Sequence, residues 1–211
     1  IQGDKIHVAC SGRNDYFKSL SREQVGLVRA KYTDGQPYFI FTGTRSPRKN
    51  LVRLIAAFDQ VKKEHNVDHH LLIVGRSGWK DQSVIDQYRS SDYKDSIQLL
   101  ESIDDLELAK LVGAADSTVF VSLYEGFGLP IIEAMACNVP VVTSDVSSMP
   151  EVAGDAALIV DPYDINAIAQ AMYRSISDQQ LRAALITIGA QRHLKFNWDD
   201  QANKVDELIL I

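Results

Sequence analysis

Thr118, Val119, Phe120 and Val121 form a short apolar, β-branched run of the kind that fills a buried parallel strand. Directly after it, residues 122–137 read SLYEGFGLPIIEAMAC. Gly126 and Gly128 allow a tight turn and close backbone approach to a ligand, and Pro130 suits the first turn of a helix running through Ile131, Ile132, Ala134, Met135 and Ala136. The stretch therefore reads as strand, glycine turn, helix. Free N–H groups at such a helix start, at the positive end of its dipole, make a site for phosphate or for hydroxyl-rich anions at the carboxyl edge of a sheet. Glu125 lies in the turn and Glu133 about one helical turn inside, so one can face the mouth of the crevice and the other its wall. An anion site ringed by acids suits a ligand carrying both phosphates and many hydroxyls.

The same unit recurs along the chain. Residues 38–42, 71–74, 97–100, 141–142 and 157–160 read as strands, and 5–9 is a further candidate. Ser21 is placed to cap a helix through Tyr32, with Gln24 in capping-box position, and 34–37 is a turn. After Pro47, Leu51, Leu54, Ile55, Phe58 and Val61 fall on one helical face. Residues 84–88 lie in a helix, and Leu106, Leu108, Leu111 and Val112 mark another. Asp164 caps a helix to Ile176, and Asp178 one towards His193. Such alternation implies right-handed crossovers and an α/β fold, a Rossmann-like, doubly wound parallel sheet with helices on both faces.

Composition narrows the partners. A net charge of -6, from 22 basic and 28 acidic residues, argues against a general nucleic-acid surface and against tight docking on anionic lipid. Cys10 and Cys137 show neither a disulfide framework nor metal-ligand spacing, and read as reduced thiols of a cytoplasmic protein. No apolar run approaches a membrane span, and residues 1–10 do not read as a signal peptide. Asp68, His69 and His70 lack a third ligand type at a recognisable spacing and read as a solvated loop. The start at Ile1 reads as part of something longer.

Glu125 and Glu133, with Gly-Phe-Gly-Leu-Pro between and Glu-Ala-Met-Ala-Cys after, resemble the donor-binding signature of retaining family 4 (group 1) glycosyltransferases of the GT-B fold. The likeness extends through residues 140–144, 150–157 and 161–162, and upstream through 41–50, 73–75, Glu107-Leu108 and Ala115-Asp116, in family order over nearly the whole chain. It implies that residues 1–211 are a single nucleotide-sugar-binding domain, one half of a GT-B fold. On that reading 1–20 lead in from a missing N-terminal, acceptor-binding domain, and 197–211 form a terminal helix that lies across towards it. The chain alone is then expected to bind donor yet transfer poorly.

In glycosyl transfer the difficult step is loss of the charged diphosphate as an oxocarbenium-like centre develops, so fixed cations and N–H groups at the leaving group are the main lever. The resemblance casts Lys49, six residues after Gly43, as the cation on the diphosphate. Thr44 replaces the family's usual arginine, leaving Arg48, or less readily Arg45, to supply a second charge. Cations in the first turn of a helix oppose its dipole, which favours a ligand-binding reason for both. Glu125 is cast as contacting the donor sugar and Glu133 the ribose. The N–H groups of Gly126, Phe127, Gly128 and Leu129 would hold sugar and phosphate. Gly43, Thr44, Gly75 and Ile103 would contact the rest of the nucleotide. Taken singly, each residue has an ordinary explanation, since a Glu at a helix start and a Gly after a strand are common. Within the long match, the pair of acids favours function.

The implied activity is a retaining hexosyltransferase of polysaccharide biosynthesis. It would move a hexose, with mannose from GDP-mannose favoured, to a glycan or lipid-linked acceptor. Either a covalent glycosyl-enzyme or same-face attack guided by the leaving phosphate gives retention, and the resemblance favours the second. No cofactor and no metal are implied. Peripheral contact with the inner membrane face stays open through the missing half. The competing readings are a nucleotide-sugar 2-epimerase and a non-catalytic nucleotide-sugar-binding module. A dinucleotide-dependent oxidoreductase is disfavoured because no Gly-x-Gly-x-x-Gly follows the first strands.

Overall fold

The computed structural model describes residues 7–209. Six strands, β1 (Tyr38–Thr42), β2 (His70–Val74), β3 (Ile97–Leu100), β4 (Ser117–Phe120), β5 (Val141–Ser144) and β6 (Ala157–Val160), form one parallel sheet in the order β3-β2-β1-β4-β5-β6. The central strands β1, β4 and β5 are buried at every residue, which is why they read as unbroken apolar or β-branched runs. Nine α-helices among the described residues complete the chain: α1 (Arg22–Thr33), α2 (Leu51–His65), α3 (Gln82–Ser90), α4 (Asp105–Gly113), α5 (Leu129–Ala136), α6 (Met149–Ala153), α7 (Ile165–Ser177), α8 (Gln179–Arg192) and α9 (Trp198–Ile209).

Right-handed crossovers put α2 and α3 on one face, where α2 packs against α3 and α7, and α4 and α5 on the other, where α4 packs against α1 and α5. The helix starts follow the capping chemistry. Ser21 accepts from the Gln24 amide at 3.2 Å while the Gln24 side chain accepts from the Ser21 amide at 2.9 Å. Asp104, Asp164 and Asp178 cap α4, α7 and α8, each carboxylate accepting from the amide three residues on. Asn138 takes a left-handed conformation just past α5.

Two expectations need correction. Lys5 and Ile6 of the candidate strand lie outside the described residues, and residues 7–9 form no strand. Residues 68–70 are not a solvated loop throughout: His70 opens β2, and the His69 ring packs at a tilt on Phe39 with centroids 5.1 Å apart. The His69 Nε2 atom lies 3.4 Å from Asp116 Oδ2 at the amino edge of the sheet, and Arg29 and Arg182 approach Oδ1 at 3.1 and 3.7 Å. Among the described residues no group of three or more acidic, His or Cys side chains is placed to hold a metal ion. None of the described helices is long and apolar enough to cross a membrane.

Burial opposes ionisation of Asp116, but the His69 hydrogen bond and the Arg29 and Arg182 charges outweigh it and hold the carboxyl below its ordinary value. A lowered folded pKa gives stability that is present above the unfolded value and lost as pH falls through the folded one. Asp116→Asn is therefore expected to destabilise by about 2 kcal/mol at neutral pH. In urea titrations the gap to the wild type should close in acid.

Candidate functional site

Strand order reverses between β1 and β4, and in sheets of this kind the crevice beyond the carboxyl ends at that reversal is where ligands bind. The local sequence builds the walls of this crevice. After β1 the chain passes through Gly43 to a short turn, Pro47–Lys49, and Asn50 at φ 60 then starts α2. The buried Asn50 side chain donates to the Val121 and Pro162 carbonyls at 3.0 and 2.7 Å, and the Leu123 amide donates to the Arg48 carbonyl at 2.7 Å. These bonds stitch the β1–α2 connection to the end of β4 and to the connection after β6.

At the centre is an ion cluster. Lys49 is 7% exposed, and its Nζ lies 2.6 Å from Glu125 Oε1 and 4.7 Å from the centre of the Phe120 ring, which stacks on Phe41. Arg48, half-exposed, reaches Glu125 Oε2 at 2.6 Å and the Tyr124 carbonyl at 3.1 Å. Burial works against the Glu125 carboxylate, but the hydrogen bonds from Lys49 and Arg48 outweigh it and hold its pKa below the usual range. Burial lowers the Lys49 ammonium, with Glu125 opposing. Ser147 and Ser148 fix the turn from the opposite wall. Both hydroxyls donate to the Glu125 carbonyl, and Ser148 also bonds the Phe127 carbonyl at 2.7 Å. Sequence reasoning missed these serines and Asn50; the only signal was their position beside the residues that carried the resemblance.

Gly43, Thr44, Gly75 and Ile103, which the sequence proposed together, do line one cavity of about 360 Å³, with Arg76 and Ser102. A Cβ on Gly43 would sit 3.3 Å from Lys49 Nζ, so the cation packs directly against this lining residue. Gly126 and Phe127 face a second cavity of about 320 Å³, closed by Cys10, Ser11 and Phe196. Phe127 rests edge-to-face on Phe196, with centroids 5.6 Å apart. Gly128, at φ 106, is the cap residue of α5, and Leu129 is its first residue. Arg45 is not at the ion cluster. It is 4% exposed and bonds the Gly75 carbonyl, Asp81 and Glu101, so Arg48 is the arginine that accompanies Lys49.

Glu133 is half-buried on α5, and its carboxyl makes no hydrogen bond or ion pair to the described residues. Burial, and then the negative charge of Asp105 at the start of α4, push its carboxyl up to about 7. The two acids thus differ in kind: Glu125 is neutralised by cations, and Glu133 holds a proton for much of the time near neutrality. A raised folded pKa gives stability that is complete below the unfolded value, near 4.5, and lost as pH rises through about 7. Stability should therefore fall by about 2 kcal/mol between pH 5 and pH 8, a figure discounted for partial exposure. Denaturant melts of Glu133→Gln should show that loss removed.

The model of the family described as "Glycosyl transferases group 1" matches residues 29–192. This chain belongs to that family. The match spans the β1–α2 connection, the ion cluster and both acids. The O-antigen chain mannosyltransferase B of Escherichia coli is 35% identical over 193 residues, covering 92% of this chain and 50% of that protein. The O-antigen chain mannosyltransferase RfbU of Salmonella typhimurium is 37% identical over 131 residues, 60% of this chain and 35% of that protein. Among solved structures, the sucrose-phosphate synthase of Thermosynechococcus elongatus superposes with a TM-score of 0.83 at 28% identity, over 96% of this chain and 51% of that one. The group 1 chain described here thus has the Rossmann-like architecture of one half of a GT-B fold, and spans between 35% and 51% of the length of these relatives.

Proposed function

We propose that residues 1–211 form the nucleotide-sugar-binding domain of a retaining glycosyltransferase that moves mannose from a nucleoside-diphosphate donor to a polysaccharide or lipid-linked acceptor. The observation that carries this reading is the buried Lys49, held against Glu125 at the reversal of the sheet and packed next to Gly43, one of the residues that line the cavity with Thr44, Gly75 and Ile103. A buried ammonium is stable only beside compensating negative charge, and a diphosphate entering between Lys49 and Arg48 supplies more of it than Glu125 does. As the donor binds, the two cations exchange carboxylate for phosphate. Glu125 is then free to accept from the hydroxyls of the sugar.

In the transfer step the glycosidic C–O bond to the β-phosphate breaks, positive charge grows on the sugar, and Lys49 and Arg48 stabilise the departing diphosphate. The leaving phosphate takes the proton of the acceptor hydroxyl attacking from the same face, so no metal and no cofactor enter. Ionised Glu133 accepts from the ribose, and the amides of 126–129 face sugar and phosphate. The acceptor belongs to a separate N-terminal domain, and the activity is cytoplasmic. Likeness to two O-antigen mannosyltransferases supports the choice of mannose.

Competition against bound GDP tests the sugar: GDP-mannose should displace it better than GDP-glucose, and equal displacement would refute mannose. Incubation of this chain alone with donor and acceptor should give little product. Robust transfer would overturn the division of labour between domains.

A further inference from the structure

Arg45 is buried and lies outside the ion cluster. Its Nη1 donates to the Gly75 carbonyl at 3.1 Å, and its Nη2 pairs with Glu101 and lies 3.5 Å from Asp81. A guanidinium shut away from water destabilises a fold unless several fixed acceptors meet its fork, and here they come from two loops other than its own. Arg45 itself follows β1, Gly75 and Asp81 follow β2, and Glu101 follows β3. Backbone contacts reinforce the arrangement: the Arg45 amide donates to the Arg76 carbonyl at 3.0 Å, and a Cβ on Gly78 would lie 2.3 Å from the Arg45 carbonyl oxygen. Asp81 is in turn held by the Ser77 hydroxyl at 2.6 Å.

All of the attachment points but Asp81 are in, or next to, the wall of the 360 Å³ cavity. Thr44 precedes Arg45, Arg76 follows Gly75, and Ser102 and Ile103 follow Glu101. Ser102 sits at φ 57, so the turn that presents Ile103 adopts a conformation costly for a residue with a side chain and must be held there by its neighbours. Beyond the backbone bonds at the strand ends, one side chain outside the lining thus ties the three walls together. We propose that Arg45, through Glu101, Asp81 and the Gly75 carbonyl, is the positioning residue that fixes the width of this cavity and so decides which nucleobase it accepts. This rests on the reading of the cavity as part of a nucleotide site.

The test uses Glu101→Gln, a half-exposed and isosteric change that leaves the core untouched, and Arg45→Lys, which keeps the charge but loses the fork. Calorimetric affinities for GDP, UDP, ADP and pyrophosphate are measured on each, with hydrogen exchange on the ligand-free protein. Both variants should bind pyrophosphate within about twofold of wild type, while the ratio between the best and worst nucleotide shrinks at least tenfold. Amides in 44–46, 75–79 and 101–104 should exchange faster together. An unchanged nucleotide ratio, or equal loss for all four ligands, would overturn the proposal, as would loosening confined to 101–104. If the wild type binds no nucleotide, the functional reading fails, and base selection with it. Concerted loosening in that case would still identify the clasp as built into the fold, so the two failures are told apart.

Discussion

Lys49→Ala is expected to weaken binding of nucleoside diphosphates at least about a hundredfold, or about 2.7 kcal/mol. The size follows from the setting. Lys49 is 7% exposed, and charge-assisted hydrogen bonds away from water are worth about twice neutral ones. Arg48→Ala should cost closer to tenfold, because that side chain is half-exposed and screened by solvent. The variant that separates this account from a purely structural ion pair is Glu125→Gln. In the free protein Glu125 occupies both cations, at 2.6 Å each. Removing its charge should leave GDP affinity unchanged or raise it a few-fold, while abolishing any added affinity from the sugar of the donor. If Lys49 and Glu125 only held the fold together, both substitutions would weaken GDP alike. Thermal melts of each variant keep lost folding from passing as lost affinity.

Gly75→Ala should prevent folding or destabilise by more than about 4 kcal/mol, at the exceptional end for a single change. Gly75 has φ 153, and a Cβ there would stand 2.0 Å from the Gly43 carbonyl oxygen and 2.5 Å from its carbon. Both atoms belong to the backbone just past the carboxyl end of β1, so relief requires β1 and β2 to separate where the Gly43 amide donates to the Val74 carbonyl. Gly126 is the contrast. A Cβ there meets nothing within 4 Å, and Gly126→Ala should change stability by less than about 1 kcal/mol. Urea denaturation of the two variants measures the difference directly.

Much of this architecture was legible because a parallel sheet covered on both faces leaves an apolar run for every strand, and because serine and aspartate caps sit at fixed offsets. Residues 38–42 and 157–160 emerged with their final boundaries for that reason. Ligand spacing gave no hint of the setting of His69, whose partner Asp116 lies on a distant segment. In the site, the grouping of Gly43, Thr44, Gly75 and Ile103 came from the family resemblance, and the fold brings these residues to one edge of the sheet. The choice between Arg45 and Arg48 did not. It depends on the short turn 47–49 and on acceptors at Asp81, Glu101 and Glu125 that only the fold brings near. The contrast between Glu125 and Glu133 was hidden too, since it arises from burial and from Asp105 on another helix.

The most direct measurement is a calorimetric titration of this chain with GDP, UDP and ADP at pH 8, where Glu133 is largely ionised, repeated on Lys49→Ala and Glu133→Ala. The account predicts saturable, one-to-one binding, tightest for GDP. Lys49→Ala should abolish it within the measurable range, and loss of the Glu133 hydrogen bonds should weaken it by about tenfold. Binding that both substitutions leave unchanged, or no binding of any of the three nucleotides to the folded wild-type chain, would contradict it.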